Sequence, residues 1–198
     1  MPNPAGVVTV NRGRGFFIEN TAARRLRKEV QRRFHKYISR RLVVTAAHCL
    51  PRLPPIGPLE RKQTYRNLLG GLGAKKDIWA RCLFVDPIAD IAVLGPPDDQ
   101  VPAKADTYLE FAEHAPRFKI GNARSGKGWI LSLDNEWMPA TLELSLGIWG
   151  EFLLIDPPAK AGTSGSPILQ AGRAVGVVTG CAEVILARSL PAWLVGAR

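Results

Sequence analysis

Three short segments hold residue types suited to nucleophilic chemistry. In Ala161-Gly-Thr-Ser-Gly-Ser-Pro-Ile, Ser164 stands between glycines in a turn that leads into an apolar strand. A serine so placed can expose its hydroxyl while neighbouring backbone N–H groups converge to hold an oxyanion. By itself the pattern reads equally well as an ordinary tight turn. A second segment, Leu42-Val-Val-Thr-Ala-Ala-His-Cys-Leu, brings His48 to the end of a β-branched strand and a small-residue turn. A third, Ala89-Asp-Ile-Ala-Val-Leu, sets Asp90 at the mouth of an apolar strand. A carboxylate is costly there unless it accepts hydrogen bonds, and fixing the tautomer of an imidazole is one such use.

The elements that must position these residues are short strands. Apolar, β-branched runs recur between glycine and proline punctuation, at Gly15-Phe-Phe-Ile, Arg41-Leu-Val-Val-Thr, Ile78 to Val85, Ile91-Ala-Val-Leu, Trp129 to Leu133, Phe152-Leu-Leu-Ile, Pro167-Ile-Leu, Ala174 to Val178 and Val184-Ile-Leu-Ala. Such spacing reads as an all-β barrel or sandwich. Prolines 96, 97 and 102 with Asp98 and Asp99 form a turn-rich stretch where two lobes can join, with the boundary around residues 98 to 106. Residues 51 to 75 read as a long loop with little regular structure. Of the 198 residues, 46% are hydrophobic and 22% charged, which excludes a chain disordered throughout.

Chain order discriminates between scaffolds. Every histidine, at 35, 48 and 114, precedes Ser164, whereas the α/β-hydrolase order places histidine last. No aspartate precedes Asp77, so His48 lacks the upstream partner that the subtilisin order needs. His48, Asp90, Ser164 is the chymotrypsin order. The sequence resembles trypsin-like (chymotrypsin-fold) serine peptidases in three blocks: Thr45-Ala-Ala-His-Cys, Asp90-Ile-Ala-Val-Leu and Gly162-Thr-Ser-Gly-Ser-Pro. Within that family it is most similar in pattern to bacterial HtrA/Deg-like and other intracellular members, through Gly13-Arg-Gly-Phe-Phe-Ile and the run from Ile155 to Pro167. The resemblance implies an all-β, chymotrypsin-like double β-barrel. Residues 1–102 would carry His48 and Asp90, residues 103–198 would carry Ser164, and a short C-terminal helix would finish the chain. It also implies a serine endopeptidase in which His48 takes the proton of Ser164, Asp90 orients the imidazole, and the Gly162 and Ser164 amides form the oxyanion hole.

Departures from the family pattern carry information. Thr163 stands where digestive enzymes have the aspartate that pairs with a newly cut N-terminus, and no Ile-Val-Gly-Gly start is present, so that zymogen switch is not expected. Ser166 replaces the second family glycine. About 34 residues follow Ser164, too few for the PDZ domain of Deg-like relatives. By resemblance, Thr179, Gly180 and Cys181 line the substrate strand and Pro158 falls near the pocket floor, where no acidic residue selects Lys or Arg; a small or medium apolar P1 residue is expected. Cys49, Cys82 and Cys181 are odd in number, without Cys-x-x-Cys spacing and with little histidine nearby, so free thiols in a reducing cytosol are expected, with no metal and no cofactor. The N-terminus shows no signal-peptide pattern and no run reaches about 18 apolar residues, which gives a cytoplasmic expectation.

The formal charge is +10, from 27 Lys and Arg against 17 Asp and Glu. Residues 24 to 41 supply +8 of it, with nine cations against Glu29 alone. This basic insert, 21–41, reads as a helix over Thr21 to Tyr37, with a twisted hairpin as the alternative. Arg24, Arg25, Arg27, Lys28, Arg32 and Arg33 are its candidate docking residues for an acidic regulatory protein. Nucleic acid or anionic membrane is the lesser alternative, since Phe34 and Tyr37 are the only aromatics in the run. A second reading of the whole chain is a degenerate or latent peptidase acting as a binding module. Family analogy adds the notion of an effector in a bacterial stress or conflict system.

Overall fold

Strands β2 (Gly13–Glu19), β3 (Arg41–Ala46) and β6 (Ile91–Gly95) are nearly continuous apolar runs because both of their faces are covered. The computed structural model describes residues 4–19, 41–54, 63–97, 101–147, 150–180 and 183–186. Side chains alternate across a strand. Phe17, Val43, Ala92 and Leu94 therefore point into one core, while Phe16, Ile18, Leu42, Val44, Ile91 and Val93 point into another.

The first core fills a closed barrel. Its strand order is β1 (Val7–Val10), β2, β3, β6, β5 (Ile78–Asp86), β4 (Thr64–Gly71), back to β1. All neighbouring pairs are antiparallel, and β1 closes the ring by pairing Val8 with Gly71 and Val10 with Leu69. The helix α1 (Pro102–His114) follows β6 and packs on this barrel. Pro102 opens it, where a missing N–H costs nothing. Tyr108 is fully buried, its ring edge-on to Phe17 and its hydroxyl donating to Arg41 O at 3.1 Å.

After β7 (Lys119–Ile120) come β8 (Gly126–Leu131), β9 (Trp137–Gly147), β10 (Gly150–Asp156), β11 (Pro167–Gln170), β12 (Arg173–Val178) and β13 (Glu183–Leu186). They run β11-β8-β9-β10-β13-β12, and β11 also pairs with β12, so these six strands return on themselves with β7 added outside in parallel to β12. Ile130, Leu142, Leu153, Ile168 and Val175 belong to the core of this second lobe.

The other face of β2, β3 and β6 meets the second lobe. Phe16, Ile18 and Val44 share a buried cluster with Phe118, Leu131, Trp137, Leu169 and Val177. Phe118 stands edge-on to Phe16 at 5.8 Å and to Trp137 at 6.3 Å, and its amide donates to Phe17 O at 2.8 Å. Each fully buried aromatic or aliphatic side chain stabilises by about 1.5–3 kcal/mol. The lobes are thus joined by an apolar core, which holds groups from both in fixed register.

Two expectations change. Residues 51 to 75 are not a structureless loop, because Thr64–Gly71 is barrel strand β4. A helix, α1, lies in the stretch after Pro102, for which only turns and a lobe boundary were read. The insert helix expected over 21–37 and the short C-terminal helix lie outside the described residues.

Candidate active site

His48 lies in the single 3-10 turn Ala47–Cys49 that ends β3. Asp90 sits in the turn between β5 and β6 at φ +51°, a left-handed conformation that Asp and Asn adopt more readily than most residues. The paired strands fix the two turns against each other, with Ala46 opposite Ile91 and the Ala47 amide donating to Asp90 O at 3.0 Å. Asp90 Oδ2 lies 2.6 Å from His48 Nδ1, and Asp90 Oδ1 accepts the His48 backbone N–H at 2.9 Å. With Nδ1 donating to the carboxylate, Nε2 is left as an acceptor. The His48 side chain is 48% exposed.

Ser164 lies in the loop between β10 and β11. Its loop is a chain of short closures: Thr163 N to Lys160 O at 3.1 Å, Ser166 N to Thr163 O at 2.9 Å, and Gly165 N to Val178 O at 2.7 Å. Gly162 and Gly165 have φ of +93° and +84°. A Cβ on Gly165 would fall 1.8 Å from Arg14 O, so no side chain fits at that position. Among the described residues the amides of Gly162 and Ser164 are not spent on any hydrogen bond, whereas those of Thr163, Gly165 and Ser166 are.

The loop docks on the histidine lobe. Arg14 N donates to Ser164 O at 2.7 Å, and the Cys49 thiol, one residue after His48, is directed at the same oxygen at 3.6 Å. Gly13 permits this approach, since a Cβ there would meet Cys49 Sγ at 2.3 Å and Ser164 O at 2.8 Å. Burial pushes the Cys49 thiol up to about 11, leaving it a neutral packing group. Among the hydrogen bonds of the described residues, none joins the Ser164 hydroxyl to His48.

Thr163, placed where digestive enzymes carry an aspartate, is 3% exposed and donates its hydroxyl to Lys160 O at 2.6 Å. Among the described residues, no ion pair joins the loop's closure. Ser166 is fully buried, and its hydroxyl has no partner among the described residues. Pro158 and Gly180 are exposed and Thr179 is half-buried, at the rim of the same lobe. Asp156 is exposed and lines a cavity of about 500 Å³ with Lys127, Trp129 and Pro157. Cys181 and the basic residues Arg24, Arg25, Arg27, Lys28, Arg32 and Arg33 lie outside the described residues. Arg41, the last of the basic run, is engaged locally, its guanidinium donating to Ala112 O at the end of α1.

One residue at the site escaped the sequence reading. Arg14 stands between two glycines in an otherwise apolar strand and is only 6% exposed. A cation in that setting was the available signal.

No protein-family model matches the chain, and no curated protein matches it in sequence. Solved structures do. The Rv3671c protease of M. tuberculosis, in an inactive form, is 18% identical; the match covers 98% of this chain and 90% of that one, with a TM-score of 0.55. The serine protease domain of the Sesbania mosaic virus polyprotein is 14% identical over 99% of this chain and 94% of that one, with a TM-score of 0.56. The chain has the chymotrypsin-like double-barrel fold of trypsin-like serine proteases. Among the described residues no helix is long and apolar enough to cross a membrane.

Proposed function

We propose that this chain is a serine endopeptidase working through His48, Asp90 and Ser164. The observation that carries the reading is the two-point hold of Asp90 on His48, which in the neutral imidazole leaves Nε2 as the acceptor. In the proposed reaction His48 Nε2 takes the Ser164 proton as Oγ attacks the scissile carbonyl, and Asp90 stabilises the imidazolium that forms. The free Gly162 and Ser164 amides receive the oxyanion. His48 then gives the proton to the leaving amine, and water, activated in the same way, hydrolyses the acyl-enzyme. Substrate is an extended peptide added edge-on by backbone hydrogen bonds near Thr179 and Gly180. With no acidic group at Pro158, the P1 residue is small or medium and apolar.

The test is labelling by a fluorophosphonate and cleavage of an unfolded protein by the purified chain. Both should be lost in Ser164→Ala, with the modified peptide containing Ser164; cleavage that survives this substitution would refute the assignment.

A latent state is the second reading, favoured by the missing hydrogen bond between Ser164 Oγ and His48. Catalytic hydrogen bonds in free enzymes are often long and tighten only when substrate binds. In the latent reading the site waits for a partner, and the basic insert is the dock for an acidic regulatory protein inside a cell. Weak labelling of the isolated chain that rises on adding an acidic polypeptide, and fails to rise in a variant with Arg24, Arg25, Arg27 and Lys28 changed to Ala, would support it.

A further inference from the structure

Arg14 occupies the face of β2 that also carries Phe16 and Ile18, so its side chain crosses from the first lobe to the second. Among the described residues its guanidinium donates to neutral oxygens alone. Nη1 donates to Leu131 O at 3.3 Å and Ser132 O at 2.8 Å; Nη2 donates to Leu133 O at 3.2 Å and Asn135 Oδ1 at 3.1 Å. All four acceptors belong to the end of β8 and the turn between β8 and β9. That turn is also closed from within, by Ser132 N to Glu136 O at 2.8 Å and Glu136 N to Ser132 Oγ at 3.1 Å.

The turn carries Leu133, which is 47% exposed. Leu133 Cδ2 lies 3.3 Å from the point where a Cβ on Gly162 would sit. The backbone of Arg14 holds the other side of the serine loop. Its amide donates to Ser164 O at 2.7 Å, and its carbonyl accepts the Thr45 hydroxyl at 2.6 Å while lying against Gly165. One residue thus bears on the loop from both sides. A buried cation among neutral acceptors is a poor device for stability alone, because desolvating the charge is costly and an apolar side chain would fill the space more cheaply. A planar fork with five donors is well suited to bind several carbonyls in one turn, and a lysine ammonium is not.

We propose that Arg14 is a positioning residue. It clamps residues 131–135, seats Leu133 beside Gly162, and thereby presets the orientation of the Gly162 and Ser164 amides toward the oxyanion. The proposal rests on the serine-peptidase reading above and names what presets its oxyanion hole.

The test compares the parent chain with Arg14→Met, Arg14→Lys and Asn135→Gly. Turnover is measured on a peptide substrate with active sites counted by fluorophosphonate titration, and amide hydrogen exchange is followed in parallel. A misplaced reacting group costs roughly 100-fold, so Arg14→Met should lower kcat by about that factor with KM within about twofold. Arg14→Lys should not restore it, and Asn135→Gly should lie between. Exchange over residues 131–136 and 160–166 should quicken by about tenfold or more while residues 41–46 stay unchanged. A role in stability alone predicts a lower melting temperature with kcat per titrated site within about threefold of the parent and unchanged exchange at 160–166, and that result would overturn the proposal. Should Arg14→Met fail to fold, Asn135→Gly decides, because Asn135 has φ +65° and glycine adopts it freely. If the parent chain shows neither turnover nor labelling of Ser164, the peptidase reading fails, and the exchange measurement alone still decides the clamp.

Discussion

Asp90 holds His48 by both of its carboxylate oxygens, Oδ2 at 2.6 Å from the imidazole Nδ1 and Oδ1 at 2.9 Å from the backbone nitrogen. The second contact orients the carboxylate independently of the ring it serves. Asp90→Asn preserves the shape and tolerates the φ of +51°, yet its amide nitrogen cannot accept from Nδ1–H. We expect kcat to fall by about 10³- to 10⁴-fold at neutral pH, with KM and melting temperature little changed. Steady-state kinetics on a peptide substrate checks this; a loss below about tenfold would mean that His48 does not work through Asp90.

Gly165→Ala should be the most damaging single methyl in the catalytic loop. The residue combines φ +84° with a Cβ position 1.8 Å from Arg14 O, and neither conflict is relieved without moving the loop. A destabilisation of roughly 3 kcal/mol or more is expected, which for a chain of this size lowers the melting temperature by roughly 6–12 °C. Thermal unfolding measures it, and a shift under about 2 °C would contradict the geometry.

The buried thiols should make the protein sensitive to alkali. Burial pushes Cys49 and Cys82 each from 9.0, the value of an exposed thiol, up to about 11, and Tyr65 from 10.0 to about 12. Folded values lie above unfolded ones, so the stability these groups contribute is complete below about pH 9. It is lost as pH rises through 11, by roughly 2–3 kcal/mol per thiol. The melting temperature should be level up to about pH 9 and fall beyond it. Cys49→Ala with Cys82→Ala should flatten part of that fall, and in the parent chain at pH 8 both thiols should resist iodoacetamide until the protein is unfolded.

Ser166 presents the opposite case, a hydroxyl that is fully buried and unsatisfied among the described residues. Removing it should relieve a desolvation penalty of about 1–3 kcal/mol, partly offset by the space left behind. Ser166→Ala is therefore expected to match or exceed the parent in melting temperature while keeping its turnover. A loss of more than about 1 kcal/mol would show that the hydroxyl has a partner in solution.

What could be read from the sequence was what is local. The segments around His48, Asp90 and Ser164 each combine a chemical group with the turn that presents it inside a few residues, so type and spacing sufficed to nominate them as candidates. Strand β4 escaped because Asn67 at φ +49° and the register shift between Tyr65 and Leu69 break the alternation that marks a strand. Strand β9 was hidden by Pro139, which interrupts an otherwise alternating run. In α1, Pro102 read as a turn residue although it opens the helix. The cation between two glycines marks Arg14 as unusual but not what it binds, since its side-chain partners lie 117 to 121 positions away.

The seam between β1 and β4, where Val8 to Val10 meet Leu69 to Gly71, has a temporal meaning. A strand made first must wait for one made some sixty residues later, so the first barrel cannot close early in synthesis. Ser164 arrives later still. At a translation rate of about 5–20 residues per second, roughly 4–15 s separate the emergence of Asp90 from that of Ser164. A nascent chain thus carries its proposed base and orienting acid well before its proposed nucleophile, and on that mechanism an unfinished molecule has nothing with which to attack its neighbours on the ribosome.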